Sequence, residues 1–437
     1  MDKTPIDYDI VKSVIDSFNL PDFGKATIRE IVAITNKIEA LTGQRFVRME
    51  MGVPGLDAVQ IGVEAEIEAL RKGVASKYPM LDGLPALKTE ASRFIKAFID
   101  ADVSPTGCVP VVGSMQGTYA SFLVAGQCDK KKDTILFIDP GFPVQKQQLV
   151  VLGYKYESFD AFDCRGGKLV EKVESFLKKG NIAAIIYSNP NNPSWICLQD
   201  FELEGIGRLA TKYDAIVMED LAYFAMDFRK NLSRPFEPPF QASVSKYTDN
   251  YILLISSSKA FSYAGQRIGI VAISDTLYNR KYKDLKERYH VSEFGNVFVN
   301  RVLYSLSSGT CHSAQYALAA MFKAANNGEL DFLGKVKAYA DRAEKVKKMF
   351  TENGFEIVYA YDLSEQIGDG FYFTIRYPSM TGAALMEKLI YYGISAISLE
   401  TTGSHQEGLR VCTSFIQDDQ YEDLAYRIQS FAKNHSL

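Results

Sequence analysis

The chain has 437 residues, 47% of them apolar, and a formal net charge of −4 at pH 7. That charge balance gives no reason to expect nucleic acid or an anionic membrane as a partner. No run of 18 apolar residues exists, so no membrane-spanning helix is predicted. The six cysteines and four histidines are dispersed, which argues against a disulfide frame and a metal site. Because Met1–Pro5 also lacks the basic and apolar features of a secretory signal, a cytoplasmic protein is predicted.

Short apolar runs alternate with helical patterns through the middle of the chain. The candidate strands, rich in β-branched residues, are 134–139, 183–188, 215–220, 251–256 and 268–273. The helical patterns between several of them are 117–125, 168–178 and 203–213. Continuously apolar strands that alternate with helices predict an α/β fold with a mostly parallel sheet, covered on both faces.

The last hundred residues have a different pattern, typical of a smaller α+β domain. The predicted elements there are a helix at 333–352, strands at 355–360 and 371–375, a helix at 382–391, and strands at 394–398 and 409–413. A helix predicted at 25–41 has no place in the central sheet and is expected to pack on this domain. The predicted division is a large domain of residues 56–325 and a small domain of residues 1–55 plus 326–437.

Polar side chains follow three of the predicted parallel strands directly. In an open α/β sheet the carboxyl ends of the strands share one edge, and ligands bind there. Lys259 ends the polar run that follows one strand, where partial desolvation would lower its pKa and favour imine formation. Asp220 closes another strand and is suited to a protonated ring nitrogen. Tyr223 and Asn192 are suited to donate hydrogen bonds to an anionic oxygen.

Anion-binding groups occur at three further places. The glycine-rich segment 113–118 precedes an apolar helix, whose N-terminal amides suit a phosphate. Arg267 can add a bidentate contact to the phosphate, and Arg410 suits a carboxylate. Taken alone, each signal has an ordinary explanation, such as a solvated lysine, an Asn-Pro turn or a surface ion pair. Together they supply what a pyridoxal 5'-phosphate (PLP) site requires.

The order and spacing of these residues resemble those of class I and II aminotransferases, the fold-type-I family of PLP-dependent transferases. The similarity runs from about Gly52 to Arg410. The Asn-Pro turn precedes the Asp-x-x-Tyr strand end by 28 residues (220 − 192), and the lysine follows 39 residues later (259 − 220). An arginine eight residues beyond the lysine (267 − 259) completes the pattern.

The resemblance implies a role for each matched position. Lys259 would hold the cofactor as a Schiff base and move the proton, and Asp220 would pair with the pyridine nitrogen. Tyr223 and Asn192 would donate to the phenolic oxygen, and Phe142 would stack on the ring. The resemblance also implies a phosphate cup formed by Ser114, Met115, Ser256 and Arg267. Tyr78 would reach the phosphate of the neighbouring subunit. Gly52, Asn192 and Arg410 would contact the substrate.

The implied enzyme is a homodimer with shared active sites. It would move an amino group from an L-amino acid to a 2-oxo acid, with pyridoxamine phosphate as the intermediate form of the cofactor. Neither metal nor nucleic acid nor membrane is expected to take part. The residue set leaves a PLP-dependent carbon–sulfur β-lyase or a related fold-type-I enzyme open as the alternative, because the outcome depends on details of the pocket.

Two further rival classes are disfavoured by the sequence. A ligand-sensing regulator of this fold would carry a basic helix-turn-helix extension, and a dehydrogenase would carry Gly-x-Gly-x-x-Gly after an early strand. Neither pattern occurs before or within the matched region.

The sequence departs from the family pattern in two places, and both leave the identity of the substrate open. Ser194 and Trp195 stand where Thr-Gly usually follows the Asn-Pro turn, and Trp195 is either a core or rim residue or one that reshapes the pocket. Phe142 lacks the hydroxyl found in many relatives, a change that leaves ring stacking intact. A second arginine often selects dicarboxylate substrates in this family. The candidates after Lys259 are Arg280, Arg288 and Arg301, and nothing in the sequence singles one out.

Overall fold

The computed structural model describes residues 4–435. This part of the chain forms two compact units: a larger unit of Leu56–Asn191 and Cys197–Val336, and a smaller unit of the chain up to Gly55, Asn192–Ile196 and the chain from Lys337 onward. The predicted second boundary lies eleven residues before Val336 (336 − 325). It differs because Phe332 still packs in the larger unit, with its ring centroid 5.0 Å from that of Phe261. Residues 1–3 and 436–437, part of the predicted small domain, lie outside the described residues.

The helices and strands are numbered in chain order. The α-helices are α1 (Tyr8–Ser17), α2 (Ile28–Thr42), α3 (Gln60–Arg71), α4 (Pro85–Ile99), α5 (Gly113–Ala125), α6 (Pro143–Leu152), α7 (Gly167–Leu177), α8 (Asp200–Tyr213), α9 (Asp275–Asn279), α10 (Lys283–Tyr289), α11 (Phe294–Val297), α12 (Tyr304–Ser307), α13 (His312–Asn326), α14 (Phe332–Val336), α15 (Ala338–Thr351), α16 (Gly382–Tyr391) and α17 (Tyr421–His435). The strands are β1 (Val47–Arg48), β2 (Cys108–Val111), β3 (Thr134–Asp139), β4 (Lys155–Asp160), β5 (Ile182–Ser188), β6 (Ile216–Leu221), β7 (Tyr251–Ser256), β8 (Gly269–Ile273), β9 (Glu356–Ile357), β10 (Tyr361–Asp362), β11 (Glu365–Gln366), β12 (Tyr372–Arg376), β13 (Ile394–Ser395), β14 (Ile397–Ser398) and β15 (Leu409–Cys412).

The larger unit contains a seven-stranded sheet in the order β2-β8-β7-β6-β5-β3-β4. Its strands β3 to β7 pair in parallel, and β8 runs antiparallel to both of its neighbours. The predicted α/β class with a mostly parallel sheet is confirmed. Two strands escaped prediction for physical reasons. Strand β2 is short and contains Pro110, and β4 lies at the sheet edge with a mostly exposed, polar sequence.

The smaller unit has its own core, formed by the N-terminal helix and the C-terminal α+β part. Helix α2 begins with a capping box between Thr27 and Glu30, and it buries Ile31, Ile34 and Ile38 in this core. The antiparallel sheet β14-β15-β12-β9 lies in the same unit. The helix predicted at 333–352 is divided into α14 and α15 at Lys337.

Several other properties bear on the class of protein. None of the helices within residues 4–435 is long and apolar enough to cross a membrane. None of the six cysteines, all of which lie in the described range, forms a disulfide. Across the same described range, the acidic, histidine and cysteine side chains form no cluster that could hold a metal ion.

A carboxylate lies fully buried in β6, the central strand of the large sheet. Glu219 is 0% exposed, and it accepts hydrogen bonds from the hydroxyls of Ser243 (2.5 Å) and Tyr187 (3.2 Å) and from the amide of Val244 (3.3 Å). Burial raises the pKa of Glu219 to about 7, and these hydrogen bonds offset only part of that rise. The fold therefore favours the protonated acid over the carboxylate.

Glu219 is expected to make stability depend on pH. Because its pKa is raised in the folded state, its contribution is fully present below the unfolded pKa near 4.5 and is lost as pH rises through about 7. Urea denaturation of the wild type and E219Q at several pH values measures the effect. The wild-type free energy of unfolding should fall relative to that of E219Q by on the order of 3 kcal/mol between pH 4.5 and pH 8. A difference that is independent of pH would contradict this role.

Candidate active site

A second buried acid follows Glu219 on the same strand and faces a different set of groups. Asp220 is 6% exposed. Its Oδ2 accepts a hydrogen bond from Gln145 Nε2 at 2.8 Å, and its Oδ1 accepts one from the Ala222 amide at 3.1 Å. No lysine, arginine or histidine pairs with Asp220 in residues 4–435. Burial raises its pKa to about 6. A buried acid without a counter-charge is a fitting partner for a cationic ligand.

The sheet brings Lys259 to the same edge as Asp220. Strand β7 pairs in parallel with β6, with Leu221 opposite Ile255, so the two strands end side by side. Lys259 follows the end of β7 by three residues and is half-buried. The turn before it is fixed because the Ser258 amide donates to Ser256 Oγ at 3.1 Å. An amine and a buried acid are therefore presented at one edge of the sheet.

Two more of the predicted residues lie at or beside strand ends in the larger unit. Tyr223 is 4% exposed and follows Asp220 by three residues. Phe142 is half-buried and caps the start of α6, three residues before Gln145. The first turn of α6 thus carries both the aromatic ring and the amide that binds Asp220.

Arg267 lies against the start of α5, beside β8. Gly113 opens α5 with a φ of 66°, and a Cβ placed on it would lie 2.5 Å from Arg267 Nη2. Arg267 donates to the Ala264 carbonyl at 2.9 Å, and in the described chain no carboxylate pairs with it. Ser114 and Met115 occupy the first turn of α5. An arginine against a helix N-terminus fits a phosphate in charge and in hydrogen-bond donors.

Tyr78 lies in a surface loop rather than at a strand end. It is 91% exposed, which is unusual for an aromatic side chain. The loop lines a cavity of about 550 Å³ together with residues 307–313.

The smaller unit holds a buried arginine without a matching acid. Arg410 lies on β15 and is 1% exposed. Its Nη2 donates to the Glu50 carbonyl, and its Nη1 donates to Asn192 Oδ1 at 3.4 Å. Its Nε has no hydrogen-bond partner, and no carboxylate pairs with the guanidinium among residues 4–435. The cost of burying such a charge is recovered when a carboxylate binds.

The loop that contains Gly52 lies close to Arg410 in the same unit. A Cβ placed on Gly52 would come 1.8 Å from the Tyr372 hydroxyl, so only glycine fits this approach. The Tyr372 ring covers the Arg410 guanidinium, with Cζ 4.8 Å from the ring centroid. Gly52 and Asn192, which were predicted together with Arg410 as substrate contacts, therefore lie close to the Arg410 guanidinium.

Two residues that contact the predicted site residues were not themselves predicted from the sequence. Gln145 and Tyr372 each make a direct contact with a predicted residue. The only sequence signal for Gln145 is a polar residue on a buried helix face, and the signal for Tyr372 is its place on a predicted small-domain strand. Such contacts arise between distant segments (145 with 220, and 372 with 410), so spacing does not reveal them.

The three arginines named as side-chain selectors have partners elsewhere in the larger unit. Arg280 donates to both carboxylate oxygens of Asp214, at 2.6 and 2.8 Å. Arg288 lies over the Tyr289 ring, and Arg301 donates to the Tyr289 carbonyl at 3.4 Å. Arg280 is thus already neutralised within the chain.

Comparison with solved structures defines the class of fold. The crystal structure of an aspartate aminotransferase from Thermotoga maritima superimposes with a TM-score of 0.74, covering 96% of this chain and 99% of that chain at 17% identity. The fold is therefore of the aspartate-aminotransferase type.

The sequence comparisons then identify the family. The family model for aminotransferase class I and II matches residues 46–428, and the chain belongs to that family. A probable aspartate aminotransferase from Methanocaldococcus jannaschii is 25% identical over 53% of this chain and 58% of that protein. An LL-diaminopimelate aminotransferase from Natranaerobius thermophilus is 25% identical over 78% of this chain and 80% of its own length. These relatives are named as aminotransferases, so the comparisons do not favour the lyase alternative.

The contact between Gly113 and Arg267 can be tested with a matched pair of variants. G113A should displace the guanidinium and weaken binding of inorganic phosphate by about tenfold, the equivalent of one charge-assisted hydrogen bond. Gly153 provides the control, because it also has a left-handed φ (71°) but nothing within 4 Å of its Cβ position. G153A should therefore carry a similar backbone strain of about 1–2 kcal/mol without the loss of phosphate affinity. Isothermal titration measures affinity. Equal phosphate affinities in the two variants would contradict this account.

Proposed function

We propose that the protein is a PLP-dependent aminotransferase that moves an amino group from an L-amino acid to a 2-oxo acid. The observation that carries this proposal is the buried Asp220 carboxylate, which has no counter-cation in the described chain and shares a sheet edge with Lys259. Family membership supports the same activity.

PLP, when bound, supplies the electron sink that stabilises negative charge at the α-carbon of the substrate. We infer that Asp220 keeps the ring nitrogen protonated, because a buried acid is most favourably ionised beside a cation. Phe142 would stack on the ring, and Tyr223 and Asn192 would donate to its phenolic oxygen. The phosphate is bound by the start of α5 (Ser114 and Met115) together with Ser256 and Arg267.

Two further residues act on the substrate. Lys259 would hold the cofactor through its amine, and the same amine would carry a proton to and from the α-carbon of the substrate. Arg410 binds the α-carboxylate, since its guanidinium is buried without an acid and its Nε is unpartnered. The Gly52 loop lies beside that carboxylate. The donor and the acceptor both carry an α-carboxylate, so one arginine serves both halves of the reaction.

We also propose a homodimer with shared active sites, in the cytoplasm. The exposed ring of Tyr78 supports the dimer, because burial against a second copy would remove a large aromatic surface from water. In that arrangement its hydroxyl donates to the phosphate of the neighbouring subunit. The free thiols support a reducing compartment.

The attachment lysine can be identified directly. After borohydride reduction of the enzyme prepared with PLP, peptide mass spectrometry should find the pyridoxyl group on Lys259. K259A should lose this modification and reduce transamination by roughly a thousandfold or more. Lys88 is the matched control, because it is 6% exposed and burial lowers its pKa. If desolvation of the amine were sufficient for attachment, Lys88 would also carry the pyridoxyl group.

K88M is therefore expected to keep both the modification at residue 259 and the activity. Labelling of Lys88 in the wild type, or full activity in K259A, would contradict the assignment of Lys259.

The pairing of Asp220 with the ring nitrogen predicts how cofactor affinity varies with pH. Below its pKa of about 6 the acid is protonated and no longer attracts a cationic ring, so PLP affinity should fall by about tenfold for each further pH unit. D220N cannot titrate, and it controls for the protonation of PLP itself. The ratio of the two dissociation constants (D220N over wild type) should be about tenfold smaller at pH 5 than at pH 8. A ratio that does not change with pH would exclude this pairing.

A further inference from the structure

Trp195 has a backbone conformation that disfavours its own side chain. Its φ is 62°, in the left-handed region where a bulky residue is strained. The side chain is nevertheless 1% exposed, and it is the only tryptophan of the chain. A large ring held in a strained turn indicates that its packing compensates for the strain.

The Trp195 ring packs within the smaller unit on Gly370, two residues before β12, and on Tyr372, the first residue of that strand. A Cβ placed on Gly370 would lie 2.0 Å from both Cε2 and Cζ2 of the indole, so the ring rests directly on the glycine backbone. The Tyr372 ring is the next neighbour, with its centroid 6.4 Å from that of Trp195 and an angle of 61° between the planes. The indole therefore meets the tyrosine edge to face.

The Tyr372 ring is in turn restrained by the cation and by the Gly52 loop. Arg410 Cζ lies 4.8 Å from the tyrosine centroid, within the range of a cation–π contact. On the edge of the guanidinium, the Glu50 carbonyl and Asn192 Oδ1 accept hydrogen bonds. The plane of the guanidinium thus depends on the tyrosine at its face, and the tyrosine depends on Trp195.

We propose that Trp195 is a positioning residue for substrate binding: through Tyr372 it fixes the plane in which Arg410 binds the carboxylate of the substrate. This inference rests on the proposed function. Because every amino-acid and oxo-acid substrate presents the same α-carboxylate, Trp195 acts on the affinity for all of them alike. It has no part in proton transfer.

Steady-state kinetics of the holoenzyme separates this role from others. W195A should raise KM for the donor and for the acceptor by a similar factor of about tenfold, with kcat changed by less than about threefold. W195F, which keeps a ring against Tyr372, should recover most of the affinity. Y372L should raise KM as W195A does, and the double variant should be no worse than either single variant, as expected for residues that act in series. F431L, a change at a buried ring of the smaller unit's core, controls for general loss of packing.

The proposal is overturned if W195A raises KM no more than F431L does. It is also overturned if the KM increase depends on the side chain of the substrate, since Trp195 would then line a side-chain pocket, or if kcat falls as much as kcat/KM.

A second readout does not require turnover, so a failure of the proposed function is distinguishable from a failure of this inference. Trp195 is the sole tryptophan, and its emission reports on its surroundings directly. Titration of the wild-type holoenzyme with propionate should change that emission saturably, and R410M should abolish the change. An emission that propionate leaves unaltered in the wild type would contradict the coupling of Trp195 to the carboxylate site.

Discussion

The proposed site depends on a buried carboxylate that has no counter-cation among residues 4–435. Asp220 is the penultimate residue of β6, the central strand of the large sheet, and within residues 4–435 its carboxylate accepts hydrogen bonds from the side-chain amide of Gln145 and the backbone amide of Ala222. Burial raises the pKa of Asp220 to about 6, and a cation beside the carboxylate would offset the cost of ionising it. Two other features belong to the same proposed site. Lys259 follows the neighbouring strand β7, and Arg267 lies beside the N-terminus of α5. Together with Asp220 they suit a ligand that is cationic at one end and anionic at the other.

In the smaller unit the charges are reversed, since the buried group there is a cation and the missing partner is an anion. Arg410 is buried and lacks an acidic partner in the described chain, and its Nε is unpartnered. Glycines at positions 52 and 370 allow Tyr372 and Trp195 to pack closely there. A carboxylate that enters such a site restores charge balance, so the free energy of binding includes relief of an existing penalty. In the proposed function this buried cation would select for the carboxylate that all substrates share, and choice among side chains would come from other groups.

The parallel strands, the α/β class and the sheet-edge residues were predictable, because continuous apolar runs and polar strand ends are local signals. Strand 251–256 was located to the residue, and strand 183–188 to within one. The predictions failed where local signals are weak, as at β4, whose exposed edge position removes the apolar pattern. Gln145 and Tyr372 were missed because their importance comes only from contacts with distant segments. The strained φ of Trp195 also has no sequence signature, since bulky residues rarely adopt it.

The most direct test of the central claim is a single half-reaction. The enzyme prepared with PLP is mixed with one amino acid in the absence of any 2-oxo acid, and the released product and the state of the cofactor are quantified. We expect one molecule of 2-oxo acid to be released per site, without any release of ammonia. The cofactor should then remain in its amine form until a 2-oxo acid is supplied. Repeated release of ammonia with the cofactor unchanged, or no reaction with any amino acid, would contradict it.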